Sequence, residues 1–440
     1  MLRKEFRRLG EIACMLLLAL TVCAQYTVKG GSGTPLLATT DKDVQVYLVN
    51  GTNDVSISYA AKGNGSLQWY RYKTKALEAE KLSGTQSGNV TTLQNIQEGY
   101  GYFVTEQGQV PRYVWIIDYS QYAFNIQSLS VSPDSNCDEL RLNGSAEMKP
   151  LRYYPSNGGF NKTLKRQFEV TYNTMTWSDD TKLFSQEVKT KQIEGDPFLA
   201  SLDAPLCDTD IRLSGDLFAR HFGMEKSMST GSYEAIALEV HADTTIVIDQ
   251  ISNLMSGSEG LSAPADIRFT AHANTPVAAL YTWTIYPKEQ PENFLVRFTG
   301  EEVDYTFNQF GDYVAALTVS DRTGKCSNSE HSFDIKITES GLDVPNAFSP
   351  GTSPGINDEF RVAYKSLIRF QGWIFNRWGV EMFRWNDPAR GWDGKKGGKY
   401  VTPGVYFYVI EAEGSDGIKY KRKGDINILR SKNIQDEVVE

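Results

Sequence analysis

Pro345-Asn346-Ala347-Phe348-Ser349-Pro350, Gly355-Ile356-Asn357-Asp358-Glu359-Phe360, Ile374-Phe375-Asn376-Arg377-Trp378-Gly379, Gly391-Trp392-Asp393-Gly394, Pro403-Gly404-Val405-Tyr406-Phe407-Tyr408 and Lys423-Gly424-Asp425-Ile426-Asn427-Ile428-Leu429-Arg430 follow one another between Val344 and Arg430, and their reading decides the fold. The apolar blocks Gly372 to Phe375, Val380 to Phe383, Val405 to Ile410 and Ile426 to Leu429 have the length of strands and are too short for globular helices. Pro-Gly, Asp-Gly and Gly-Gly pairs stand between them, where a chain needs a fixed or a positive φ. The spacing predicts an all-β module.

The same blocks in the same order resemble the gliding-motility-associated C-terminal domain, the type B sorting domain of the type IX secretion system. The resemblance implies export across the outer membrane to the cell surface or medium. The partners it implies are outer-membrane translocon and surface-anchoring proteins of that system. Asn376, Arg377 and Gly379 around Trp378 look like a turn built for a fixed surface. That turn, together with Trp392, Asp393, Gly394, Lys423, Gly424, Leu429 and Arg430, is what the export machinery is expected to read. A strand near the C-terminus offers an edge whose backbone groups can pair with a partner sheet. Most of the apolar surface of Trp373, Phe375, Trp378, Trp385 and Trp392 is expected in the core, because so small a module needs its aromatics there. Where the family carries Asn-Gly-Asp-Gly after the Ser-Pro, this chain has Gly351-Thr352-Ser353-Pro354, which supplies no carboxylate for a metal. A polar extension, Ser431 to Glu440, follows the motif.

Working outward, 440 residues allow several domains of ordinary size. A net charge of -9 without a basic stripe excludes a general nucleic-acid binder. The Tyr-rich aromatic content suits cross-strand and inter-sheet packing. Arg3, Lys4, Arg7 and Arg8 precede an apolar run, Ile12 to Val22, too short to span a bilayer; residues 1–24 read as a signal peptide cleaved after Ala24. Val22 fits poorly as the residue before an acylated Cys23. Export leaves Cys137, Cys207 and Cys326, hence one disulfide and one thiol, with the pair left open. None of the three has zinc-ligand spacing to a second Cys or a His.

Residues 25–120 read as an immunoglobulin-like β-sandwich. Val44, Val46 and Leu48 alternate, as do Val55 and Ile57; Trp69 lies on a central strand, and Tyr100–Val104 with Tyr113–Ile117 forms a closing hairpin. Lys75 to Leu82 reads as a loop turn, and Lys149 to Lys165, rich in Tyr, Pro, Gly and Lys, as a long loop. Cys137-Asp138-Glu139-Leu140-Arg141-Leu142 is echoed by Cys207-Asp208-Thr209-Asp210-Ile211-Arg212-Leu213. Alternating runs Phe168–Tyr172 and Ile236–Val240 follow the two copies, predicting tandem β modules at 121–200 and 201–254. Ser, Gly and Pro between Met255 and Pro264 mark a linker. The order Tyr281-Thr282-Trp283, Tyr305-Thr306-Phe307, Gly311-Asp312-Tyr313-Val314 and Leu317–Asp321 resembles a polycystic-kidney-disease-type (PKD) immunoglobulin-like domain at 255–340, without its Phe-Gly-Asp-Gly turn. That resemblance implies a spacer or adhesive module. Residues 341–440 complete the chain as the sorting domain.

No nucleophile elbow, HExxH, P-loop or dinucleotide fingerprint accompanies His221, His241, His272 or His331. Gly30-Gly31-Ser32-Gly33-Thr34 reads as a flexible leader. Asp179 with Asp180, and Glu301 and Glu302 with Asp304, could serve glycoside hydrolysis only across a cleft; exposed turn and strand-edge carboxylates are the plainer reading. Asp243-Thr244-Thr245 resembles a short bacterial O-glycosylation acceptor. The expectation is an all-β chain of tandem immunoglobulin-like β-sandwiches with a small C-terminal β-sandwich. It is expected to be a non-enzymatic, adhesive or structural surface component with no cofactor or metal, and with a surface glycan or protein ligand. The alternatives are an accessory subunit kept on the secretion machinery, or a secreted hydrolase with a divergent site between Asn125 and Gln250.

Overall fold

Runs of β-branched and aromatic residues become strands throughout the residues that the computed structural model describes, 26–63, 65–248, 260–351 and 355–429. The expected signal peptide, the site residue Arg430 and the Ser431–Glu440 extension lie outside them. The chain divides into two units, residues 1–174 with 187–234, and residues 175–186 with 235–440.

In the first unit, Val44–Val49 shows why apolar residues occur at both parities of one strand. All six positions are buried. Tyr47 and Val49 join Ile57, Tyr59, Trp69, Val104 and Ile116 between two sheets. These are a four-stranded sheet, in the order Tyr26–Lys29, Ser56–Ala60, Val90–Leu93, Thr85–Ser87, and a six-stranded one. The larger sheet runs Leu36–Asp41, Val44–Val49, Tyr113–Asp118, Tyr100–Glu106, Leu67–Tyr72, Glu80–Leu82. Val44, Val46 and Leu48 point the other way, into a second core with Trp115, Leu151, Tyr153, Leu164 and Ala219. The segment expected as a long loop therefore contains a hairpin, Leu151–Tyr153 with Lys162–Leu164, that seals the back of this sheet. Its turn-forming composition hid three buried apolar side chains. Likewise, Lys75 to Leu82 holds a 3-10 turn, Ala76–Glu78, and the edge strand Glu80–Leu82.

The two tandem modules expected at 121–200 and 201–254 are corrected by a shared core. Phe124, Leu140, Phe168, Val170, Ile193, Leu202, Ile211 and Leu213 form one cluster. The strand Gln167–Ser178, from the first expected module, pairs with Arg212–Gly215 from the second. The sandwich is completed by the sheet Asn125–Val131, Glu139–Glu147, Ser201–Asp203. The two Cys-led echoes open strands of opposite sheets rather than two domains.

A buried ion pair ties this sandwich to the preceding one. Asp216, wholly buried, caps the short helix Leu217–His221 by accepting from the Ala219 amide at 2.8 Å. It also accepts from the Tyr119 hydroxyl at 2.6 Å and pairs with Arg166. Arg166 donates in turn to the carbonyls of Tyr122 and Lys149, at 2.6 and 2.7 Å.

In the second unit, the strand Val240–Ile248 pairs with Ala265–Ala273, so the sandwich expected to start at 255 begins upstream of the Ser/Gly/Pro-rich stretch. Residues 255–259 of that stretch, expected as a linker, lie outside the described residues. Trp283 is wholly buried between this sheet, completed by Glu302–Phe307, and the sheet built on Ala278–Pro287 and Gly311–Asp321. The C-terminal domain follows, with a five-stranded sheet in the order Ala347–Phe348, Lys419–Ile428, Gly404–Gly414, Leu367–Phe375, Glu381–Trp385. Its core contains Phe360, Tyr364, Ile374, Trp385, Trp392, Tyr406, Ile410 and Ile426. Ser366, wholly buried, bonds the Thr338 hydroxyl at 3.0 Å, and its amide donates to the Ser262 hydroxyl at 2.6 Å, joining this domain to the one before it.

Candidate recognition surface

The turn after Leu367–Phe375 is held by one side chain. Asn376 Oδ1 accepts from the amides of Trp378 and Val380, at 3.0 and 2.9 Å, and Gly379 takes a φ of 80°. An Asn side chain mimics a backbone turn in this way, and glycine meets the positive φ without strain. The turn leaves Trp378 67 % exposed, under the Arg377 guanidinium at 4.4 Å. Together with Thr402–Phe407 these residues line a cleft of about 220 Å³.

The end strand, Lys419–Ile428, pairs residue for residue with Gly404–Gly414. At Gly424 a Cβ would crowd the Tyr408 hydroxyl at 2.8 Å. On its other side only Asn427 and Ile428 are paired, in parallel with Ala347 and Phe348. From Tyr420 to Asp425 that margin has no strand beside it among the described residues. Lys421, Arg422 and Lys423 are exposed along it.

The expected site residues thus separate. Asn376–Gly379 and Lys423 lie at strands flanking Gly404–Gly414 on its two sides. Trp392 is fully buried, its indole donating to the Lys395 carbonyl at 2.9 Å, and Gly394 packs under Pro350. Of that motif only Asp393 is exposed, accepting from the Lys395 amide at 3.1 Å. Leu429 is exposed while its amide donates to Phe348 at 2.9 Å. Between turn and end strand lies a row that the sequence analysis named only as part of a strand: Val405, Phe407 and Val409, all exposed on one face of it. Its signal was present, since Val405 to Ile410 is apolar at both parities and only one parity can face the domain's core.

Residues 342–428 match the CHU_C type IX secretion signal domain. They form a type IX secretion signal domain. The secretion signal domain links the chain to that system and to export towards the cell surface or extracellular space. Upstream of it, residues 130–230 match a fibronectin type III domain, whose span agrees with the single core found there. No curated protein matches the chain. Among solved structures, the tetra-tandem repeat in the extending region of a large adhesion protein is 11% identical, covering 88% of this chain and 99% of that one, with a TM-score of 0.21. Dimeric latent PorU from Porphyromonas gingivalis is 11% identical over 74% of this chain and 36% of its own, with a TM-score of 0.15.

Away from the secretion signal domain, several of the titratable groups considered from sequence have structural partners. Asp304 binds Arg268 through both oxygens at 2.8 and 3.0 Å, and Arg268 holds its carboxyl below the usual range. Asp179 accepts from the Trp177 indole at 2.9 Å. That Trp stacks on His241 at 4.3 Å and lies 5.3 Å from His272, while His331 bonds the Val240 carbonyl at 2.6 Å. His221 bonds the Thr34 carbonyl at 2.8 Å. Cys207 is buried, and Cys137 and Cys326 are each in the disulfide state. No cluster of His, Cys, Asp or Glu suited to a metal occurs among the described residues, and no described helix is long and apolar enough to cross a membrane.

Proposed function

We propose that this chain is a non-enzymatic, multi-domain surface component, adhesive or structural, whose C-terminal domain is read by outer-membrane proteins of the type IX secretion system. The observation that carries the reading is the exposed Trp378 on its Asn376-pinned turn, within a domain whose core buries Trp385 and Trp392. An indole left in water on a fixed turn stabilises little in its own domain, and aromatic and Arg side chains dominate binding interfaces. The open, basic margin at Lys421–Lys423 supplies backbone groups for strand addition. The upstream sandwiches, including the PKD-like one, serve as spacer or adhesive modules; Trp69 and Trp283 fill their cores, and of the carboxylates considered for catalysis Glu302 and Asp304 are paired with Arg268.

Fractionation of the producing strain tests this. The chain truncated after Ser340 should stay in the periplasm, and full-length Trp378→Ser should reach the surface in reduced amount while melting as the parent does. Surface delivery of the truncated chain would refute the reading. Stoichiometric co-purification of the full chain with outer-membrane translocon proteins would replace it with that of a retained accessory subunit.

A further inference from the structure

Among the described residues the two most exposed large apolar side chains are Phe160, at 98 %, and Leu77, at 94 %. They lie far apart in sequence and on adjoining tips. Phe160 sits in the connection of the hairpin Leu151–Tyr153/Lys162–Leu164, and Leu77 in the 3-10 turn Ala76–Glu78. The Ala76 amide donates to the Ser156 carbonyl at 2.8 Å, fastening one tip to the other. The Tyr72 hydroxyl donates to the Tyr154 carbonyl at 3.2 Å, and Ser156 bonds Asp43. Gly158 is so close to Lys75 that a Cβ there would meet the Lys75 Cβ at 2.6 Å. Both apolar side chains are therefore presented by fixed backbone.

The hairpin that carries Phe160 is cationic in a chain whose net charge is -9, while beside Leu77 the carboxylates Glu78 and Glu80 are answered by Lys75 and Arg71. From Lys149 to Arg166 the sequence carries Lys149, Arg152, Lys162, Lys165 and Arg166 and no carboxylate. Arg166 is consumed by Asp216, but Arg152, Lys162 and Lys165 are exposed. The partners of Lys162 and Lys165 are Asp41 and Glu194 in surface pairs, which hold little energy in water and exchange readily for another anion.

We infer that this double tip is a docking point for an anionic lipid surface, with Phe160 and Leu77 entering the interfacial layer and the flanking cations meeting headgroup phosphates. Shape favours a lipid over a folded protein. A protein partner needs a broad complementary patch of roughly 800 Å² on each side, whereas here two apolar groups project separately from polar, glycine-rich backbone. Lipid takes up such projections individually, and clustered Lys and Arg add attraction to acidic headgroups that salt weakens.

The test is co-sedimentation of the full chain with vesicles of phosphatidylcholine containing phosphatidylglycerol, against vesicles of phosphatidylcholine alone. Binding to the anionic vesicles, weakened by salt, is expected. Phe160→Ser and Leu77→Ser should each weaken it by about tenfold, the factor that loss of one such side chain from an apolar phase implies, and Arg152→Glu should weaken it further. Because each wild-type side chain is already in water, the variants should melt with the parent, which separates lost docking from lost folding. Absence of binding to anionic vesicles, or unchanged binding by the Phe160→Ser, Leu77→Ser double variant, would overturn the inference.

Discussion

Asp216 is the residue on which the first unit's two sandwiches depend. It is charged, wholly out of water, and answered by Arg166, Tyr119 and the Ala219 amide. Such a pair contributes modestly as a whole, yet removing one member leaves an uncompensated buried charge. Arg166→Met should lower unfolding free energy by about 3–5 kcal/mol in a denaturant titration. The double variant Arg166→Met, Asp216→Leu should recover much of that loss, a non-additivity that an exposed pair would not show. No sequence rule announces this contact: Arg166 stands in a Lys-rich, loop-like segment and Asp216 after a glycine, fifty residues apart. Trp69 and Trp283 were legible as core because each sits in an alternating run. Trp392, expected in the core because so small a domain needs its aromatics there, does fill its centre, whereas Trp378, expected there for the same reason, stands exposed on its turn.

Among elements, the hairpin Gly404–Gly414/Lys419–Ile428 is held at its turn by Asp416. The carboxylate accepts from the Ser340 amide at 2.8 Å and the Ser340 hydroxyl at 2.7 Å. Burial opposes its ionisation, but the bonds from Ser340 and from the Ile418 amide outweigh burial and hold the carboxyl below its ordinary 3.8. A depressed folded value means that this stabilisation is complete above the unfolded chain's pKa and disappears as pH falls through the folded one. Ser340→Ala should therefore cost about 1–2 kcal/mol at neutral pH. The gap from the parent should narrow below about pH 4 as the carboxyl protonates, as thermal melts across that range would record. Strand existence was readable at this scale from period-two patterning. The pairing partners were not: Val240–Ile248 looked like the close of one module and is the first strand of the next.

At the scale of the whole molecule, the boundary between the first two sandwiches is a boundary of topology but not of packing. Leu151, Tyr153, Leu164 and Ala219 cover a face of the six-stranded sheet that residues 26–121 alone would leave in water. A fragment of residues 26–121 should aggregate or bind hydrophobic dyes, whereas residues 26–234 should unfold in one cooperative transition by calorimetry. Two well-separated transitions in the longer fragment would show the domains to be independent. The sequence made the fold class and the C-terminal domain plain, because tight-turn chemistry and short strands are local properties. It could not show which sheets would be covered twice, since that depends on segments distant along the chain.

The row Lys421, Arg422, Lys423 along the unpaired margin of the end strand has a further result. Two identical molecules approaching margin to margin would bring like charges to within a strand spacing of each other, so homotypic fibre growth is opposed where a differently charged protein is still admitted. A sheet can in this way keep a vacancy for one visitor while its own kind accumulate around it without sticking.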